Sequence, residues 1–196
     1  MTDHHHPPLT AEMTDMASQV AAALEDLHHD TVPWGMLLPS TYRIGLPAPS
    51  ALTDLGIDPN PAISVHALDI PLPDDDEGDL PAHLLAHAQT LRDTPRTTPP
   101  GEPGPRATLE GPTVGLLTIA ERIKIDSTGS VRQRATIAVL ANGTAVHIVR
   151  TQDQPDVSRA IGHITVPGSR MAHALWSIGQ ALDIFPAAAP PPTAHP

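Results

Sequence analysis

Thr113 to Val149 holds the chain's clearest alternation of apolar and polar residues, and two turn signals divide it. The stronger signal is Ala141-Asn142-Gly143-Thr144. Asn-Gly between apolar runs favours a type I′ turn, whose two central residues both need positive φ. With Asn142 and Gly143 as a two-residue loop, Leu140 pairs with Ala145, Val139 with Val146, Ala138 with His147, and Ile137 with Ile148. One face then carries Ile137, Val139, Val146 and Ile148. Cross-strand pairs of β-branched residues suit a buried pleated surface, so this face is assigned to the core.

The preceding strand has the same period. Leu117, Ile119, Ile123 and Ile125 alternate with Thr118, Ala120, Arg122 and Lys124. Its turn is Ser127-Thr128-Gly129-Ser130, with Gly129 suited to a left-handed position. A loop of Ser127 to Gly129 pairs Arg122 with Arg134 and Lys124 with Arg132. A register two residues away pairs Lys124 with Arg134 and Asp126 with Arg132. Only even shifts keep the apolar residues on one side.

Two departures from this pattern concern function. Glu121 falls among the isoleucines, opposite Ala135 in the first register, and Ala135 lies opposite Arg150. Strands lie roughly 4.8 Å apart, so a structural ion pair between Glu121 and Arg150 across the small alanine is expected. On the other face Arg122, Lys124, Arg132 and Arg134 crowd together, with His147 further along. Like charges directly opposite in a sheet are mildly destabilising. A solvated surface is the plain reading of such a cluster. The functional one is an interaction face for an acidic partner, a polyanion or the chain's own acidic half.

Charge placement narrows the partners. The chain of 196 residues carries a net charge of −11. Residues 1–100 hold 15 acidic and 3 basic side chains, whereas residues 101–196 hold 7 acidic and 8 basic ones. An acidic half beside a slightly basic one suits intramolecular or protein-partner electrostatics. Nucleic-acid binding is disfavoured, because it calls for a domain pI above about 9. Two Trp, one Tyr and one Phe offer little for stacking bases. The absence of cysteine excludes disulfides and thiolate metal sites. No apolar run of about 18 residues suggests a membrane span, and no signal pattern is read at the N-terminus, so a cytoplasmic protein is expected. Ten arginines against one lysine match the codon bias of a high-GC bacterial genome.

Taken in order, residues 1–9 read as a disordered lead and residues 10–92 as an acidic helical and extended region. Residues 93–112 form a Pro-rich linker, 113–185 a sheet with a C-terminal helix, and 186–196 a disordered tail. In the first region a helix from Ala11 to about Leu27 sets Met13, Met16, Val20, Leu24 and Leu27 on one stripe. Extended segments follow in Val32 to Leu46 and Ile63 to Leu72, the latter confined to a sheet edge by Pro71 and Pro73. The run Asp74 to Asp79 lacks the alternating ligands and central glycine of a calcium loop. Asp79 then caps a helix from Leu80 to Leu91 with Pro81 in its first turn. After the hairpins, Ile161 to Val166 reads as a fourth strand and Arg170 to Ile184 as a helix covering the Ile137/Val139/Val146/Ile148 face. The fold class is therefore α+β, an antiparallel meander of about four strands packed against N- and C-terminal helices.

Chemistry is sparsely marked. His83 and His87 stand one helical turn apart, a spacing that holds Zn²⁺, but the metalloprotease glutamate is missing and no third ligand is evident. No nucleophile elbow or phosphate-cradling glycine loop is present, and no cofactor is implied. The first functional expectation is a non-enzymatic adaptor or chaperone-like module. It would meet a protein partner or a second copy of itself through the basic sheet face or an open strand edge. The second is a metal-dependent or acid–base enzyme using His83, His87 and either Glu121 or His147. The third is polyanion contact through the basic face.

Overall fold

The computed structural model describes residues 11–46, 63–70, 79–94, 113–126, 129–165 and 169–187. The expected lead, the acidic run before Asp79, residues 95–112 of the linker and residues 188–196 of the tail lie outside them. The described residues form an α+β fold of three helices and one six-stranded antiparallel sheet. The helices are α1 (Ala11–Thr31), α2 (Leu80–Asp93) and α3 (Arg170–Ala181). The strands are β1 (Ser40–Gly45), β2 (Ser64–Leu68), β3 (Thr113–Asp126), β4 (Gly129–Leu140), β5 (Thr144–Thr151) and β6 (Val157–His163). They lie in the order β2-β1-β3-β4-β5-β6.

The expected count of four strands is too low. β1 does not end the sheet but pairs with both β2 and β3, and β2 takes the edge. Residues 10–92 and 113–185 thus contribute to a single sheet. The short β1 and β2 carry weak alternation of their own; β3 supplies the partner of β1, and β1 that of β2.

The second hairpin also differs from expectation, by one residue. Asn142 does not enter the positive-φ region, whereas Gly143 does, at +84°. The Gly143 N–H donates to the Leu140 carbonyl at 2.9 Å, and the Asn142 side chain accepts from Thr144 N at 3.0 Å. The corner is therefore a three-residue loop ending in a left-handed glycine, not a two-residue type I′ turn. Val139 pairs with Ala145, Ala138 with Val146, and Ile137 with His147. An odd shift sends one strand's side chains to the opposite face. Ile137 and Val139 consequently point to one side of the sheet, and Val146 and Ile148 to the other.

Both sides are covered, which is why all four residues remain buried. On one side Ile137, Val139 and Leu116 meet Leu175 and Ile178 of α3 and Leu84 and Ala88 of α2. On the other, Val146, Ile148, Ala138 and Leu117 share a core with Ala17, Ala21 and Ala22 of α1. Helix α1 presents Ala17, Ala21 and Ala22, with Leu24 of the expected stripe packed beside them, whereas Leu27 of that stripe is 56% exposed. Small side chains let the helix backbone approach the sheet closely, and Glu25 on the same stripe meets a cation there. Burying Leu175 and Ile178 contributes about 1.5–3 kcal/mol each.

Helix capping follows the sequence closely. Asp79 accepts from Ala82 N at 3.3 Å, and Ser169 from Ala172 N at 3.1 Å. Helix α3 stops at Ala181, short of the expected Ile184. Asp183 adopts φ +57°, and the chain folds back so that Phe185 stacks on Trp176 at 4.7 Å.

The corner offers a direct test. A Cβ on Gly143 would be strained by its positive φ and would occupy the space of the His163 imidazole. Gly143→Ala is expected to cost about 1–3 kcal/mol in urea unfolding, the range for a non-glycine residue held in this region. Adding His163→Ala should restore part of the loss, because it removes the collision but not the backbone strain.

Candidate functional site

Helices α2 and α3 both begin at one end of the sheet, and a cleft of about 580 Å³ opens between their first turns and strands β3 to β5. Capping by Asp79 and Ser169 places the two starts side by side. Arg170 Nη2 joins Asp79 Oδ2 across the gap at 2.6 Å. That hydrogen bond holds the Asp79 carboxyl below its ordinary pKa, with the guanidinium charge adding to the effect.

The floor of the cleft is sheet. Ala120, Ala135, Ile137 and Val149 supply apolar area, and Leu80 and Met171 face it from the helices. His147 stands among them, half-buried, and burial lowers its pKa. No hydrogen bond is made by its side chain among the described residues. Arg122, at the far end, donates Nε and Nη2 to Gln133 Oε1 at 3.2 and 3.0 Å.

The expected basic face does not exist as one surface. Glu121 pairs with Arg134, Arg122 with Gln133 and Ile123 with Arg132, so the β3–β4 register is odd relative to either expected alignment. Arg122 and Lys124 therefore lie on the α2/α3 side of the sheet, and Arg132 and Arg134 on the α1 side. His147 falls on the Arg122 side. Arg134 is fully buried and cannot offer its charge to a partner at the surface.

The expected Glu121–Arg150 pair is replaced by two others, because the register brings Arg134 between them. Glu121 Oε1 accepts from Arg134 Nη2 at 2.6 Å, and Glu121 Oε2 from Gly35 N at 2.7 Å. Arg134 also donates to Val32 O at 3.1 Å, and its guanidinium lies 4.9 Å from the centre of the Trp34 ring. Its Nε and Nη1 have no hydrogen-bond partner among the described residues, and contact with the ring face offsets part of that cost. Arg150 turns instead to α1, where Nε and Nη2 meet Glu25 at 2.8 Å each and Nη2 meets Asp26 at 2.6 Å. Glu25, 1% exposed, was not singled out from the sequence. Its position four residues after Ala21 on an alanine stripe was the available signal.

His83 and His87 lie on α2 beside the buried Leu84 and Ala88. Burial first, and the neighbouring His83 second, lower the pKa of His87. Among the described residues no group of three or more His, Cys, Asp or Glu side chains is arranged to hold a metal ion.

The other surface with chemical potential is the β6 edge. Ile164 N donates to Gly143 O at 2.8 Å, on the ladder where Thr144 faces His163 and Ala145 faces Gly162. Antiparallel alternation then turns the N–H and C=O groups of Ser158, Ala160 and Gly162 toward β5. Those of Val157, Arg159, Ile161 and His163 point outward, where no described backbone bonds them. Residues 158–162 are exposed, Ile161 at 62%.

Two measurements follow. Glu121→Gln should destabilise the fold by about 3–5 kcal/mol by leaving Arg134 buried without its counter-charge, whereas Glu121→Gln with Arg134→Met should cost much less. A double-mutant cycle by chemical unfolding gives both values. For His147, a folded pKa below the ordinary value of about 6.5 means that the unfolded chain binds the proton more readily. Its contribution is complete above about pH 6.5 and fades as pH falls through the lower folded value. His147→Gln should therefore flatten the loss of stability on acidification below neutral pH.

No family model matches the chain, and neither does any curated protein or solved structure.

Proposed function

We propose that this protein is a non-catalytic interaction module that takes up an extended segment of a protein partner, or of a second copy, as a seventh strand along β6. One observation carries this function: the outward N–H and C=O groups of Val157, Arg159, Ile161 and His163 have no partner among the described residues. An exposed edge of this kind is a ready template for another strand, and the main chain supplies affinity while alternate side chains supply selectivity. Two further features support it. Ser158, Ala160 and Gly162 present small side chains on one face, so an added strand meets no bulk there. On the other face Arg159 and the exposed Ile161 combine charge with apolar area. An adaptor or chaperone-like role in the cytoplasm is the cellular form of this activity. No described helix is long and apolar enough to cross a membrane.

Proline separates this function from general stability. Ile161→Pro removes an outward N–H and leaves the bonds to β5 in place, whereas Ala160→Pro removes a bond of the ladder itself. Peptides selected from a displayed library of extended ten-residue segments are expected to bind the natural chain. They should lose at least about tenfold in affinity for Ile161→Pro while its unfolding midpoint stays close to the natural value, and Ala160→Pro should unfold more readily. Selection of no binder, or of binders indifferent to Ile161→Pro, would sink the proposal.

A further inference from the structure

The cleft between the helix starts is independent of the β6 edge, and its chemistry points elsewhere. Its volume of about 580 Å³ lies within the range of small-molecule sites, roughly 300–1,000 Å³. Its walls combine the apolar side chains of Leu80, Ile137, Val149 and Met171 with a few polar groups. Among its described residues the cations are Arg122 and Arg170 and the acids are Asp79 and Glu121. Glu121 directs its carboxylate through the opposite face of the sheet to Arg134 and Gly35, so it takes no part in the cleft's charge. Asp79 is matched by Arg170 at 2.6 Å. Arg122 remains as the uncompensated charge, since its described contact is with the neutral amide of Gln133. The N–H groups of Arg170 and Met171, in the first turn of α3, also lack partners inside the helix.

We propose that this cleft binds a small organic carboxylate, with its apolar body over Ile137, Val149, Leu80 and Met171 and its charged end toward Arg122 and His147. A chain of net charge −11 would repel an anion over most of its surface, so a locally cationic recess selects for one. The guanidinium recognises a carboxylate in a planar fork. The imidazole of His147, unpaired and half-buried, adds a donor beside the apolar floor. An uncharged ligand of the same shape would leave Arg122 without an anion and lose the charge-assisted bonds.

Octanoate is a suitable probe, with octanol as its neutral counterpart and the full isotope-labelled chain observed by nuclear magnetic resonance. Octanoate is expected to give saturable shifts at the Met171 methyl and the His147 ring, with octanol at least about tenfold weaker. Arg122→Gln and His147→Gln should each weaken octanoate several-fold and leave octanol unchanged. Ala135→Met, which fills the floor without altering charge, should abolish both. Shifts confined to other parts of the molecule, no saturable response, or equal binding of octanoate and octanol would overturn the proposal. So would variants that stay folded and bind octanoate as the natural chain does. If one variant loses its methyl dispersion, the other two decide. Loss of strand capture in Ile161→Pro with octanoate binding intact would leave this site standing on its own.

Discussion

The position of one glycine sets the parity of β5 against β4. Gly143 closes the corner between β4 and β5 as the third residue of a loop, and that count decides which residues of β5 share a face with which residues of β4. With one residue fewer, Val146 and Ile148 would join Ile137 and Val139 on one side, and α1 would cover a far poorer surface. The same corner places Arg134 opposite Arg150, and the β3–β4 register places it opposite Glu121 as well. The make-up of the two cores and the charge pairs follow from these two registers together.

Directly opposed Arg134 and Arg150 would repel one another in an unmodified sheet. Here each is drawn to a different acid. Glu121 holds Arg134 within the sheet, beneath the Trp34–Gly35 turn, and Glu25 and Asp26 hold Arg150 against α1. The pairs are therefore also docking devices. One fastens the segment after α1 to β3 and β4, and the other fixes the rotation of α1 so that its alanines face the sheet. Buried pairs of this kind contribute little net stability relative to apolar residues, yet breaking one leaves a costly charge. Their effect is on which arrangement forms.

Architecture also explains where the two proposed binding surfaces lie. Helices α2 and α3 pack side by side with α3 against β3 and β4, whereas residues 158–162 of β6 are exposed. Their capped starts and strands β3 to β5 line the cleft. Edge and cleft are thus two consequences of covering six strands unevenly. The two proposed surfaces differ in chemistry: an unpaired main chain at the edge, and a cleft with an apolar floor and Arg122 at the helix starts.

Local chemistry was sufficient for much of the fold. Asp79 and Ser169 announced two helix starts because a capping oxygen needs only its own first turn. The Asn-Gly corner announced a hairpin, and Pro71 and Pro73 announced that the strand before them would take an edge. Register was another matter. The run Thr136 to Leu140 is buried on both faces, so its pattern fits either parity equally well and cannot choose between a loop of two residues and one of three. The joining of β1 to β3 and the meeting of Glu25 with Arg150 depend on residues 77 to 125 positions apart, and the splitting of the basic cluster across two faces depends on the parity of the β3–β4 hairpin. Amino-acid order alone determined which elements form and where they begin. Tertiary packing decided which side of the sheet each residue sees, because only contact with a helix on each face distinguishes the two.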